Sequence, residues 1–290
     1  MKIALITTYP DAPEVVRVEQ EVKALGHEYQ LINLLHFNFF VKDQELRIEH
    51  LENLDADVVI VRGVFNAIKS ISTVMDYLKK RGIKVFDNNL SQHKYAINKV
   101  TDLVKLSIAG IFIPDTYYAR EYEKYDKFIA LNGYPLVIKS TRMGQGAGVY
   151  KVDSEGELKR FISEHEALKH PAKDFILQKF IDYEFDIRVL IVGEDMFAMR
   201  RKPRDGDFRA NFSLGGSVEK FDLDQKDKEL ALAALRAIDM GVGGVDILID
   251  KNGNRYILEV NHTAGLVGME KATGENIARL YVVYAIKNAS

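Results

Sequence analysis

Two strand-length stretches, Val245–Asp250 and Arg255–Asn261, are separated only by Lys251-Asn252-Gly253-Asn254. Asn-Gly between such runs is the strongest short-range hairpin signal, because a two-residue type I′ turn needs positive φ at both central positions. With Lys251 opposite Asn254, the register places Asp246 across from Glu259 and Asp250 across from Arg255 as a surface ion pair. Asn261 follows on the Glu259 face by the strand period of two. Directly opposed carboxylates repel unless a cation lies between them. Asp246, Glu259 and Asn261 offer only hard oxygen donors, which suit Mg²⁺ or Mn²⁺ shared with phosphates rather than zinc. Apolar neighbours on both strands favour a largely buried hairpin; the alternative is a solvated sheet face carrying two acids. The stretch Asp250-x-Asn252-Gly253-Asn254 also imitates the start of a calcium loop, but Asn261 stands where that loop carries its distal Glu.

The first ninety residues alternate between two periods. Lys2–Thr7 is an apolar run entering a turn; Val15, Val18, Val22 and Leu25 recur at helical spacing before a Gly26 C-cap. Glu28–Leu35 reads as a strand, Asp57–Arg62 as a buried strand, Ile68–Lys80 as a helix stopped by Gly82, and Lys84–Phe86 as a strand. This succession predicts a parallel sheet with helices on its faces. Next come a helical stripe (Val100, Leu103, Val104, Ile108), strands at Tyr134–Ser140 and Val149–Val152, and a helix opened by a Ser154/Glu157 capping box. From Phe175 strands dominate, at 175–180, 185–192, 196–202, 243–250 and 255–260. They are interrupted by a helix carrying Leu230, Ala234 and Ile238 and followed by a closing helix after Gly274. The 290 residues suggest about two domains. The change of pattern near 90 and 175 divides them instead into three lobes, 1–90, 91–175 and 176–290.

The 40 Lys and Arg nearly balance the 42 Asp and Glu, so no nucleic-acid or membrane coat is expected. The absence of cysteine excludes disulfides, zinc–thiolate and iron–sulfur sites, and a thiol nucleophile. The longest apolar runs fall far short of a bilayer span, and the N-terminus has no signal-peptide pattern, so a cytoplasmic protein is expected.

Chemistry-bearing residues gather in two further places. In Arg142-Met-Gly144-Gln-Gly146-Ala-Gly148, glycines at alternate positions let backbone N–H groups approach an anion closely. It is neither a Walker loop nor a Rossmann fingerprint. Lys139, ending the strand just before it, is a phosphate ligand or a snorkelling surface lysine. From Met199 to Ala210 there are five basic and two acidic residues. Arg188, on a strand backed by Ile187 and Val189, is read as facing an anion inward, since guanidinium forks match phosphate and carboxylate geometry. Among the histidines only His262, beside Asn261, merits testing, and no Gly-x-Ser-x-Gly elbow occurs.

Together these residues resemble the RimK-like group of ATP-grasp enzymes. The resemblance runs from about Lys99 to the C-terminus through Gln178–Phe180, Asp186-Ile-Arg188, Gly206-Asp-Phe-Arg209-Ala-Asn211, Gly244-Val-Asp246, Glu259-Val-Asn261 and Gly265–Gly274. It implies an α/β chain, α+β in its ATP-grasp part, with an open N-terminal lobe and two further lobes sandwiching ATP. Lys99 and Lys139 would meet the phosphates under the 142–148 loop, carrying Gly144, Gly146 and Gly148. Adenine would meet Gln178, Lys179, Phe180 and Ile181, and Asp186 would lie near the ribose. Arg188, Arg201, Arg209 and Asn211 would surround the transferred phosphoryl group, and Asp246, Glu259 and Asn261 would hold two Mg²⁺, with Mn²⁺ as a substitute.

The reaction so implied activates a carboxylate as an acylphosphate, which an amine attacks with release of ADP and phosphate. The incoming amine would be an amino acid such as glutamate, and the carboxylate would belong to a protein C-terminus, a carrier protein or a coenzyme; a homo-oligomer is compatible with this. His262-Thr263-Ala264 departs from the Ala/Ser-Ser/Thr-Pro of RimK-like sequences and resembles LysX-like ligases. Asn211-Phe-Ser-Leu-Gly215-Gly216 departs in turn from the Asn-Thr-Ala-Arg-Gly-Gly of those ligases, so the acceptor is inherited from neither. A small-molecule kinase and a nucleotide-binding module without turnover are the competing readings. Arg62, ending a buried strand of the first lobe, is either a substrate-carboxylate anchor or half of a structural ion pair.

Overall fold

The computed structural model describes residues 1–36, 38–90, 98–141, 148–204, 206–210 and 217–290. The alternation of the first ninety residues produces β1 (Lys2–Thr7), α1 (Pro13–Ala24), β2 (Glu28–Asn33), a hairpin of β3 (Phe39–Lys42) and β4 (Glu45–Ile48), β5 (Val58–Val61), α2 (Ile68–Lys80) and β6 (Lys84–Phe86). Strands β2-β1-β5-β6 pair in parallel, in that order. A parallel sheet needs cover on both faces. Ala4, Ile6, Val59 and Val61 pack one face against α2 through Ile71, Val74 and Leu78. Ile3, Leu5, Val58 and Ile60 on the other face meet α1, but also the last helix of the chain through Ile277, Tyr281, Val282 and Ala285. Backbone bonds between Val85 and Ser290, 3.2 and 3.1 Å, fix the C-terminus to β6. The core of residues 1–90 is therefore completed by the far end of the sequence.

The second sheet follows α3 (Lys99–Ile108). It comprises β7 (Thr116–Tyr117), β8 (Leu136–Ser140), β9 (Val149–Val152) and β10 (Phe175–Lys179) in the order β7-β10-β8-β9, with α4 (Tyr125–Asn132) and α5 (Glu155–Ala167) packed beside it. Asn98 caps α3, its Oδ1 accepting from the Thr101 backbone N–H at 3.0 Å. At α5 the capping box is displaced by one residue. Ser154 accepts from Glu157 N as expected, but the Glu157 carboxylate reaches back to Asp153 N at 2.7 Å rather than to Ser154.

The third sheet is antiparallel: β11 (Asp186–Val192), β12 (Asp195–Lys202), β13 (Ser217–Lys220), β14 (Val242–Ile249) and β15 (Arg255–Asn261), in the order β13-β12-β11-β14-β15. Helix α6 (Gln225–Ala237) covers one face through Ala231, Ala234 and Leu235. Two further helices, α7 (Val267–Thr273) and α8 (Ile277–Asn288), close the chain.

The β14–β15 turn corrects the two-residue turn read from the sequence. Asp250 N donates to Asn254 O at 3.0 Å, so three residues, with Gly253 at φ +81°, make the loop. The Asp250 side chain accepts from the Asn252 and Asn254 backbone N–H groups, and the expected Asp250–Arg255 pair does not form. Arg255 instead binds Asp227 at 2.5 Å and Asp224 at 2.6 Å. The ladder is thus one residue out of the expected register at Ile249↔Arg255, and a bulge between Asp246 and Ile247 restores it. Asp246 then faces Glu259, and Gly244 faces Asn261. Without the bulge, Leu258 would stand opposite Asp246.

Candidate active site

The third sheet brings Asp186, Arg188, Arg201 and Asp246 to one face by the period of two. Asp186 on β11 accepts from Arg201 on β12 at 2.6 and 2.9 Å. Arg201 also reaches Asp246 on β14 at 2.9 Å, and Arg188 binds Asp246 bidentately at 2.7 and 2.6 Å. The alternation continues outward: Glu259 lies 3.8 Å from Arg188 and 4.0 Å from Lys99 at the start of α3. Asn261 donates from Nδ2 to Gly244 O at 3.4 Å. The cation between the opposed carboxylates is thus supplied by Arg188 itself, and charge balance alone does not demand a metal.

This array is buried. Asp186, Arg201 and Asp246 are 4%, 2% and 3% exposed. Burial pushes the Asp186 carboxyl upward, and Arg201 opposes the shift without cancelling it. For Asp246 burial acts in the same direction, but Arg188 and Arg201 outweigh it and hold the carboxyl at about 2. Lys139 touches the cleft with part of its side chain, yet the surrounding protein pushes its ammonium down to about 8, with Glu259 opposing and Lys99 assisting.

Lys99, Lys139, Asp186, Arg201, Asp246 and Glu259 line one pocket between the second and third sheets, and so do Gln178, Lys179, Phe180, Ile181 and Arg209. Arg188 is not among the residues that line it and is bound to Asp246. Arg209 is also held by its near neighbour Asp207 at 2.8 Å. Gly148 has φ +70°, and its carbonyl accepts from Ser140 N at 2.7 Å. Gly144, Gly146 and Asn211 lie outside the described residues. Gln178, 1% exposed, donates to Thr116 Oγ1 at 2.8 Å, while its Oε1 is buried without a partner among the described residues.

Sequence reasoning passed over the apolar walls of the pocket, Val137, Leu248 and Leu258, and Tyr183, whose hydroxyl donates to Phe208 O at 2.6 Å. Their only signal was the alternation already used for the core. It also passed over Asp102, which approaches His262 Nε2 at 3.1 Å across 160 positions of sequence. Lys99, Lys139, Leu258 and Glu259 additionally border a larger cleft of about 730 Å³. Asn261, His262, and the ends of β1 and β5 complete its walls.

The donor set fits a hard divalent cation. Two carboxylates and one amide oxygen leave coordination positions for phosphate oxygens and water, the usual arrangement for Mg²⁺ at a nucleotide. Among the described residues no group of three or more His, Cys, Asp or Glu forms an all-protein cage. Cationic Lys99 and Lys139 face the same space, as a triphosphate requires.

Comparison with known proteins bears on the whole chain. Residues 96–284 match the model of the RimK-like ATP-grasp domain. A protein of Legionella pneumophila (strain Corby) named "Probable alpha-L-glutamate ligase" is 31% identical over 298 residues, spanning 100% of this chain and 96% of that one. A RimK domain ATP-grasp protein from Sphaerobacter thermophilus superimposes with a TM-score of 0.74 at 18% identity, covering 99% of this chain and 100% of that one. The ATP-grasp ligase PsnB, solved with a minimal precursor, Mg and ADP, gives 0.73 at 18% identity, with 99% and 96% covered. The fold is that of the ATP-grasp ligases, and the chain belongs to the RimK-like ATP-grasp family.

Proposed function

We propose that the protein is an ATP-dependent, ADP-forming carboxylate–amine ligase whose incoming amine is an amino acid, with glutamate the first candidate. Three lobes, 1–90, 91–175 and 176–290, carry this reading, with ATP between the last two. The observation that carries it is the run Asp186–Arg201–Asp246–Arg188–Glu259–Lys99, buried over its first three members and half-buried beyond, which ends where the pocket meets the larger cleft. A phosphoryl group passing from one compartment to the other would cross a surface already set with fixed charges.

The residues divide the work by position. Lys99 and Lys139 bind phosphate oxygens, and an anion there holds the proton on Lys139 more firmly because it compensates the burial. The unpartnered Gln178 Oε1 accepts from the exocyclic amine of the base, between walls formed by Leu248 and Leu258. Asp186 orients Arg201, and Arg188 and Arg209 with Asn211 stabilise negative charge on the transferring group. Asp246, Glu259 and Asn261 would hold Mg²⁺, or Mn²⁺ in its place, which supplies charge neutralisation to the phosphates when bound. The substrate carboxylate oxygen attacks the terminal phosphorus and ADP leaves. The amine nitrogen then attacks the acyl carbon, phosphate departs with the C–O electron pair, and the amine releases a proton. The covalent intermediate lies on the substrate, so no protein nucleophile is needed. The relatives named as glutamate ligases and the neighbour solved with Mg and ADP support this reading.

Phosphate release and mass spectrometry, run with ATP, Mg²⁺, amino acids and a panel of carboxylates, test it. ADP formed together with an amide product is the expected result. A stable phosphorylated product would identify a kinase, and nucleotide binding without turnover across the panel would identify a binding module. Either outcome overturns the ligase.

A further inference from the structure

We propose that Arg62 is the anchor for a non-reacting carboxylate of the amino-acid substrate bound in the larger cleft. The proposal rests on the ligase reading for the identity of the ligand, but the site itself stands on the geometry of the first sheet.

Arg62 follows β5 directly, its backbone N–H donating to Ile6 O at 3.0 Å, and it is 7% exposed while lining the cleft. The guanidinium donates to the carbonyl of Ala264 and stacks at 4.9 Å over the Tyr281 ring. Both partners are neutral. Among the described residues no carboxylate pairs with it, so the ion-pair alternative left open by the sequence does not form there. A buried cation without a counter-ion is costly, and such groups are normally paired or coordinated. A guanidinium on a cleft wall has five donors, more than the Ala264 carbonyl and the Tyr281 hydroxyl take up, and is completed by an anion entering the cleft.

Topology points to the same place. In the order β2-β1-β5-β6, the chain leaves β1 in one direction and β5 lies on its other side, so the carboxyl ends of β1 and β5 form the switch point of the sheet. Ligands of open parallel sheets bind outside such a point, where the two loops part. Here the loops are pinned: Thr8 Oγ1 donates to Gly63 O at 2.8 Å, and Gly63 takes φ +65°. Helix α1 starts over the same opening, with Ala12 providing no side-chain cap. Pro13 has no N–H and Val15 N already donates to Ala12 O at 2.8 Å, so what this end adds is the helix dipole, which favours negative charge.

Glu14 lines the cleft as well. With Asp102 and Glu259 also on the lining beside Arg62, Lys99 and Lys139, the cleft carries both signs of charge, which suits a ligand of both signs, such as an amino acid, better than a simple polyanion. The residues shared with the nucleotide pocket come from α3, β8 and β15, whereas Arg62 comes from the first sheet. An amino acid held at Arg62 by a carboxylate lies in the same cleft that Lys99 and Glu259 border. Arg62 takes part in no bond change; it is a positioning residue.

Calorimetry of wild type, Arg62→Lys and Arg62→Met, saturated with Mg²⁺ and a non-hydrolysable ATP analogue, tests this with L-glutamate, glutamine (the side-chain amide) and isoglutamine (the α-amide). Wild type should lose roughly 10–100-fold in affinity for one of the two amides, the magnitude of a charge-assisted bond, and so show which carboxylate is anchored. Arg62→Met should bind that amide and glutamate equally, with analogue affinity unchanged, and Arg62→Lys should recover part of the preference. In turnover, Arg62→Met should raise KM for the amino acid far more than it lowers kcat. Equal binding of glutamate and both amides by wild type, or a preference that survives in Arg62→Met, overturns the proposal. So does the absence of any proteinogenic amino acid that binds the wild-type complex. Arg62-dependent binding without amide formation would leave the anchor standing and remove the ligase reading.

Discussion

Replacing Arg201 by methionine tests whether the alternating charges form one unit. Arg201 makes two bonds to Asp186, at 2.6 and 2.9 Å, and one to Asp246 at 2.9 Å, and it is 2% exposed. Asp246 keeps its bidentate Arg188 partner in the variant, but Asp186 loses the cation that neutralises it. Removing one partner of a buried pair costs about 3–5 kcal/mol. With an unfolding entropy of ~2.1 cal/mol/K per residue, cooperative melting of the chain should then occur about 5–8 °C lower. The loss must depend on pH. Burial already raises the Asp186 carboxyl above its ordinary value, and without Arg201 it rises further. The folded variant then holds a proton that the unfolded chain releases, so its stability falls as pH rises through the carboxylate range toward neutrality. The deficit relative to wild type should be largest at pH 7.5 and narrow toward pH 5. Adding Asp186→Leu should recover most of it, because the stranded carboxylate is gone. Melts followed by far-UV circular dichroism at both pH values decide the matter. A single variant melting within about 1 °C of wild type at pH 7.5, a pH-independent deficit, or a double variant no better than the single would refute the reasoning.

Three other changes separate stability from function. Glu259→Ala should lower Mg²⁺-dependent phosphate release to below about a hundredth while leaving the circular dichroism spectrum intact, and near-normal turnover would sink the metal assignment. Lys139, pushed from 10.5 down to about 8, binds protons less well folded than unfolded, so stability rises with pH between those values, and at pH 7 the charged lysine costs roughly 3 kcal/mol. Lys139→Met should therefore melt higher than wild type at pH 7, converge with it near pH 10, and bind an ATP analogue at least ~10-fold more weakly; equal melting at pH 7 contradicts the burial argument. A Cβ at Gly244 would stand 2.8 Å from the Ala264 Cβ, so Gly244→Ala should cost about 1–3 kcal/mol in chemical denaturation, whereas a neutral result would mean that the Ala264 loop yields freely.

What the sequence makes legible follows from the range of the interaction involved. The span of α2, the strands of the parallel sheet and the faces of β11, β14 and β15 follow from periods of 3.6 and 2, which are local. The hairpin β3–β4, the two-residue β7 and the four-residue β13 escape because they are mostly exposed or half-buried and bury no full face that would impose a period, and α4 and α7 add no stripe long enough to stand out. Contacts such as Arg62 with Ala264 and Asp102 with His262 join positions 202 and 160 residues apart, which no local pattern encodes. The Asp246–Glu259 pairing is instructive because it follows from a two-residue turn that does not exist. The loop has one residue more, which shifts the pairing, and the bulge at Leu258 shifts it back. Turn chemistry alone, corrected for the longer loop, would have set Asp246 against Leu258. What settles the register is the other end of the hairpin. Val245 and Val260 must both turn into the α6 core, and that face assignment brings Asp246 and Glu259 together on the opposite one. Burial on one side of the sheet thus positions the charges on the other, and the bulge is where the turn and the core are reconciled.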